Sequence, residues 1–333
     1  MEEFRPIEFQ KTRDFGKKVN VTFEFLRQNF KPLGKSILVI AGPAVLVGSL
    51  FLGSFFSDFF SQALNTQRDP QESLRYFQSS SFWLGFALVY VFLFLSYVVT
   101  LATINSYVEL YFRKKTNQIQ TGEVWESVRS LIWRYLGSVL LILLCAAAAS
   151  VALVVVGALL SQVSRFLTGL FFVAALIVFF YLVIGISFLF FIQAHEGLGF
   201  FEAAGRSLRL IQGKWWSTFG LLFVMSLIGG VISYVFIIPY YAYLFISTTH
   251  GIGSGGRPQL SESAKAVTLV FFTVYYMAQM LMQTLPQLGL VFQYFNLVER
   301  REARGLIGDI DQFGKSDPPG PQNDTLVSPP DAE

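Results

Sequence analysis

Six stretches of the chain are long and apolar enough to cross a layer of hydrocarbon, and no other feature narrows the fold as much. A helix that rises about 1.5 Å per residue needs roughly 20 apolar residues to span a bilayer core. Runs at about 36–59, 81–112, 136–161, 167–193, 216–247 and 265–297 reach that length. They are continuously apolar rather than alternating, which argues for helices and against a β-barrel. Composition agrees, because 53% of the residues are hydrophobic, only 14% are charged and 36 are Phe, more than a water-facing domain can hide. The expected fold class is an all-α integral membrane protein whose six transmembrane helices form three hairpins.

The cations test this division without reference to hydropathy. Lys and Arg cluster in the N-terminal segment, in the connection holding Arg113, Lys114 and Lys115, around Arg206, Arg209 and Lys214, and near Arg300 and Arg301. Only Arg68, Arg75, Arg165, Arg257 and Lys265 fall on the other side, and a missed or added helix would invert every later loop. The positive-inside rule then places both termini in the cytoplasm of a bacterial inner membrane. Residues 1–35 are a cytoplasmic segment, 36–298 the membrane domain, and 299–333 a disordered tail rich in Pro, Asp and Gly. The charged start MEEFRPIEFQKTRDFGKK does not read as a signal peptide. Cys145 lies inside an apolar run, which excludes an internal disulfide and predicts a buried structural thiol.

Each hairpin is preceded by a segment with amphipathic helical spacing, predicting a cytoplasmic interfacial helix ahead of each. Phe15, Val19, Phe23, Leu26, Phe30 and Leu33 form one stripe, and Val124, Val128, Leu131 and Tyr135 another. The third is Leu198, Phe201, Ala204, Leu208, Ile211 and Trp215, with Glu202 and Arg206 spaced as an i,i+4 pair and Gly213 as the stop. Arg206, Arg209, Lys214, Trp215 and Trp216 are the candidate contacts to anionic lipid headgroups. Three units of one orientation raise the prospect of an internal repeat about an axis along the membrane normal. Pairs of small residues at Ala44/Gly48, Ser49/Gly53 and Ser226/Gly230 have the spacing of close helix contacts.

The motifs that hint at chemistry fail on spacing. His195-Glu196 opens like H-E-x-x-H, but Gly199 stands where the second imidazole belongs, so no metal site is expected. GIGSGG at 251–256 matches G-x-G-x-x-G only in letters, since no strand is expected to enter it, and no cofactor is predicted. Glu109 is the carboxylate well inside a run; pairing with Arg113 explains it, and a substrate role is the alternative. Tyr275, Gln279, Gln283 and Gln287 recur every four residues beside Pro286. With Glu109 they are the candidate lining of a polar cavity, the other reading being hydrogen bonds between helices.

At EAAGRSLRLIQGKWWSTFG the chain resembles bacterial multi-pass proteins related to the membrane domain of glycerophosphoryl diester phosphodiesterases. Glu202, Ala203, Ser207, Leu210, Gly213 and Trp216 carry that likeness. RDFGKKVNVTFEFLRQNFKPL with its following Ala-Gly-Pro span resembles related proteins of Bacteroidetes-type bacteria. A soluble phosphodiesterase domain is missing from the sequence, so hydrolase activity does not transfer. The expected function is non-enzymatic: a lipid-associated scaffold or assembly component with lipid and membrane-protein partners and no nucleic acid. The alternative is a permease-like protein using the Gln face.

Overall fold

The computed structural model describes residues 4–66, 70–253, 262–303, 305 and 307, and every regular element among them is an α-helix. Six stretches, Gly42–Phe59, Ser80–Lys114, Thr121–Val163, Arg165–His195, Trp215–Tyr234 and Ala266–Glu302, are long and apolar enough to cross a membrane. On that length and composition the chain is a multi-pass membrane protein. Residues 254–256 of the glycine loop, Arg68, Arg257, Arg304 and the tail from 308 onward lie outside the described residues.

Proline marks three of the four places where an apolar run divides, the break at 186–188 having none. The first run is split at Ala41 into α1 (Phe15–Ile40) and α2 (Gly42–Thr66), with Pro43 in the first turn of α2. After α3 (Pro70–Gln78) and α4 (Ser80–Lys114) comes α5 (Thr121–Val163). The fourth run divides into α6 (Arg165–Gly185) and α7 (Leu189–His195), followed by α8 (Phe200–Ile211). The fifth becomes α9 (Trp215–Tyr234) and α10 (Ile238–Gly253), and the sixth α11 (Glu262–Met282) and α12 (Thr284–Glu302). Pro239 and Pro286 again fall in the first turn of α10 and α12, where a missing N–H leaves no bond unmade. Side chains cap other starts: Asp14 Oδ1 accepts from Lys17 N at 2.8 Å, and Ser79 Oγ from Phe82 N at 3.2 Å.

The molecule has two levels. In α4 every residue from Val98 to Glu109 is buried, whereas Trp83, Leu84, Tyr90 and Val91 point outward. In α12 every residue from Leu288 to Val298 is buried, with α1, α4, α8 and α9 packed around it. Phe9 sits at the centre of that layer, its ring 5.1–6.1 Å from those of Phe25, Tyr111, Phe112, Phe292 and Phe295. Buried polar bonds tie the layer together: Tyr107 Oη donates to Asn29 Oδ1 (2.8 Å), Asn105 Nδ2 to Tyr135 Oη (2.9 Å) and Tyr135 Oη to Phe190 O (2.6 Å). Away from this layer, Val151, Val154, Leu159, Val163 and Phe166 of α5 and α6 face outward. Arg13 N donates to Asn296 Oδ1 at 2.8 Å, so the chain before α1 and the end of α12 lie together.

Several expectations are corrected. α5 is one unbroken helix of 43 residues, so its amphipathic start is the foot of a long rod and not a separate interfacial helix. α1 turns Lys18, Thr22, Phe25 and Asn29 inward, together with Leu33 of the predicted stripe, and leaves the stripe's Phe15, Phe23 and Phe30 exposed, so the stripe is divided between the packed layer and the outer surface. Likewise α8 buries Ala203, Ser207, Leu210 and Ile211, while Phe201 stays outside. Both helices dock through polar groups beside apolar ones: Lys18 bonds to Ser217 of α9 and Gln293 of α12, and Ser207 to Gly185 and Phe188 at the α6–α7 connection, contacts that hydropathy spacing does not register. The stripe of α5, with Val124, Val128, Leu131 and Tyr135 buried, is as read. Cys145 is exposed on the outer surface of α5 rather than buried. Helix α12 continues to Glu302, past the predicted start of the tail.

Candidate functional site

Two groups of polar residues meet α12 in the packed layer. The first is a closed set of charges. Glu109 near the end of α4 accepts from Arg113 Nε at 2.7 Å, the predicted pair, and its other oxygen lies 2.7 Å from His195 Nδ1. The imidazole is stacked on Phe191 and edged by Phe112, Tyr294 and Phe295. Arg206 of α8 contacts Glu196 at 2.6 Å and Glu302 at 2.9 Å, and Tyr294 Oη donates to Glu196. These two carboxylates hold the Arg206 guanidinium above its usual basicity. Arg206 therefore does not pair with Glu202, which instead accepts from Gly199 N at 3.3 Å and caps α8. Among the described residues no group of three or more His, Cys, Asp or Glu is placed to hold a metal.

The second group is cationic. Lys18 of α1 is only 3% exposed, yet its ammonium meets neutral partners, Gln293 Oε1 at 2.6 Å and Ser217 Oγ at 3.3 Å. Gln293 Nε2 in turn donates to Thr218 Oγ1 at 3.0 Å. Burial, followed by the nearby Arg300 and Lys214 charges, pushes Lys18 down to about 8, against a partial offset from Asp14. A cavity of about 120 Å³ lies among these groups, walled also by Arg13, Asp14, Asn296 and Arg300. Hydropathy spacing misses Lys18, Gln293 and Asn296. Lys18 lies off the apolar stripe of α1, and the legible signal is a polar helix end that is too rich in amides for lipid contact.

The sequence-predicted residues divide between these groups and the outer surface. Lys214 borders the cationic cavity, Trp215 is half-buried with Nε1 donating to Tyr181 O at 3.2 Å, and Arg209 and Trp216 are exposed. Arg206 is engaged by its two carboxylates. The five candidate cavity residues are not brought together. Gln283 meets Tyr97, twelve residues before Glu109 on α4, a separation of roughly 18 Å along the helix. Tyr275 lies instead with Tyr234, ring centroids 6.1 Å apart, while Gln279 and Gln287 are half-buried on α11 and α12. No protein family, curated protein or solved structure matches the chain, so its function has to be argued from this geometry alone.

Proposed function

We propose that this protein is a non-enzymatic, lipid-associated scaffold of the bacterial inner membrane, with the packed layer on the cytoplasmic side. The observation that carries the reading is the division of its polar groups. Glu109, His195, Glu196, Arg206 and Glu302, with Arg113, are engaged with one another in the layer, which suits a rigid strut better than a reaction centre. Arg209, Lys214 and Arg300 border the outer surface, in a molecule that also exposes Phe23, Phe30, Trp125, Trp133, Phe201 and Trp216. Exposed aromatics beside Lys and Arg are what the headgroup zone selects. The resemblance to phosphodiesterase-associated membrane domains is compatible with such a supporting role, with membrane proteins as further partners.

The Gln residues supply the test. The double variant Gln279→Leu and Gln283→Leu is expected to fold, to reach the membrane and to co-purify the same proteins as the parent chain. Loss of solute uptake in cells carrying the folded double variant replaces the scaffold with a permease.

A further inference from the structure

The cationic group around Lys18 lacks the counter-charge that buried ammonium groups ordinarily have. A buried charge is costly unless paired or hydrogen-bonded; the partly buried Arg206 is paired with two carboxylates, and the buried Arg13 gives its guanidinium to the backbone carbonyls of Glu8, Phe9 and Lys11. Around Lys18 the pattern is different. Among the described residues, no carboxylate forms an ion pair with Lys18, Lys214 or Arg300. Asp14, the one carboxylate on the cavity wall, is held by Lys17, with Lys17 N donating to it at 2.8 Å and Lys17 Nζ 3.3 Å away. Lys18, Lys214 and Arg300, beside an Arg13 held by backbone carbonyls, thus line a cavity of about 120 Å³, next to a second of about 360 Å³ that shares Lys214, Leu297 and Arg300.

The remaining wall is made of donors. Helix α9 starts at Lys214 with no side-chain cap, so the N–H groups of its first turn and the positive end of a 20-residue helix face this region. The Ser217 hydroxyl, in that first turn, lines the cavity. Asn296 spends its oxygen on Arg13 N, which leaves its amide nitrogen as a donor. Gln293 orients the Lys18 ammonium by bonding it at 2.6 Å while its own nitrogen is anchored to Thr218. Positive charge, convergent donors and a compact volume are the recognition chemistry of a tetrahedral oxyanion.

We propose that Lys18, Lys214, Ser217 and Arg300 form a binding site for a phosphate group, either the headgroup phosphate of an anionic phospholipid or free phosphate. The lipid arm rests on the membrane placement proposed above, whereas the anion site rests only on the residues named here. An occupying phosphate supplies the missing counter-charge to Lys18 and bridges α1, α9 and α12, the three elements that carry the site.

The test uses the full chain purified in detergent. Retention of phosphatidylglycerol over phosphatidylcholine is read by native mass spectrometry, and binding of radiolabelled orthophosphate is read by equilibrium dialysis. Lys214→Gln and Arg300→Gln alter exposed residues, so they report on the site whatever Lys18→Met does to folding. Each is expected to weaken the bound anion by roughly fivefold, with Lys18→Arg retaining binding and Arg165→Gln, an exposed cation at the far end of α6, leaving it unchanged. Selective lipid retention that millimolar orthophosphate does not displace identifies the headgroup. Orthophosphate binding lost in the same variants identifies the free anion. Failure of the parent chain to bind either probe, or an Arg165→Gln loss equal to that of Arg300→Gln, overturns the site without bearing on the scaffold, which is judged by the Gln279 and Gln283 variants.

Discussion

Arg206 and Lys18 show how differently one packed layer treats a partly buried and a buried cation. Arg206 contacts Glu196 before α8 and Glu302 at the end of α12, so removing it strands two partly buried carboxylates. Arg206→Ala is expected to destabilise the fold by about 3 kcal/mol, read as a lowered midpoint in thermal unfolding followed by circular dichroism. An unchanged midpoint means the pairs are solvent-screened. Lys18 has a folded-state pKa of about 8 against 10.5 in the unfolded chain. Between those values the unfolded lysine holds more proton than the folded one, so stability attributable to Lys18 rises as pH increases from 8 toward 10.5. The parent chain, freed of phosphate, should therefore gain stability relative to Lys18→Met across that interval. A difference that stays flat from pH 7 to 10 contradicts a depressed lysine.

Among the elements, α2 is placed by small residues that spacing alone identified. A Cβ on Gly48 would lie 3.0 Å from Ser96 Oγ and 3.3 Å from Phe92 O, and Ser96 Oγ also donates to Ala44 O at 2.8 Å. Gly53 approaches Leu269 of α11 equally closely, and Ser49 Oγ donates to Thr273 Oγ1 at 3.3 Å. Gly48→Val is accordingly expected to force α2 from α4 and cost about 1–3 kcal/mol, while Gly230→Ala, with nothing within 4 Å, should be neutral. Equal unfolding midpoints for the two variants would contradict this packing. The pair Ser226/Gly230 was read as a contact, but the residue that touches α11 is Gly229, 3.1 Å from Met282 O at its Cβ position. One residue along a helix is about 100° of rotation, and spacing cannot choose between adjacent faces without a neighbour. Gly213, by contrast, was legible as a stop, and its φ of +73° is what a glycine there permits.

At the scale of the whole molecule, the two levels assign opposite surroundings to residues of similar hydropathy. Cys145 is the single cysteine and faces outward on the part of α5 with little protein around it. A nitroxide attached there and reconstituted in vesicles should collide more with oxygen than with a water-soluble nickel chelate. The reverse preference would put this stretch of α5 in water and end the six-span reading.

Length and apolar continuity were enough to determine six spanning helices, because the bilayer requires every backbone polar group to be bonded within its own rod. Breaks at Pro43, Pro239 and Pro286 were legible too, and in the folded chain each stands in the first turn of a new helix inside a single apolar run. Which face of α1 or α8 turns inward, that α5 runs unbroken through 43 residues, and that Lys18 meets Lys214 and Arg300 were decided by tertiary structure. Hydropathy measures a side chain's preference for leaving water, and both lipid and protein interior satisfy it. Only packing against named neighbours separates the two, and it brings together charges more than two hundred residues apart in the chain.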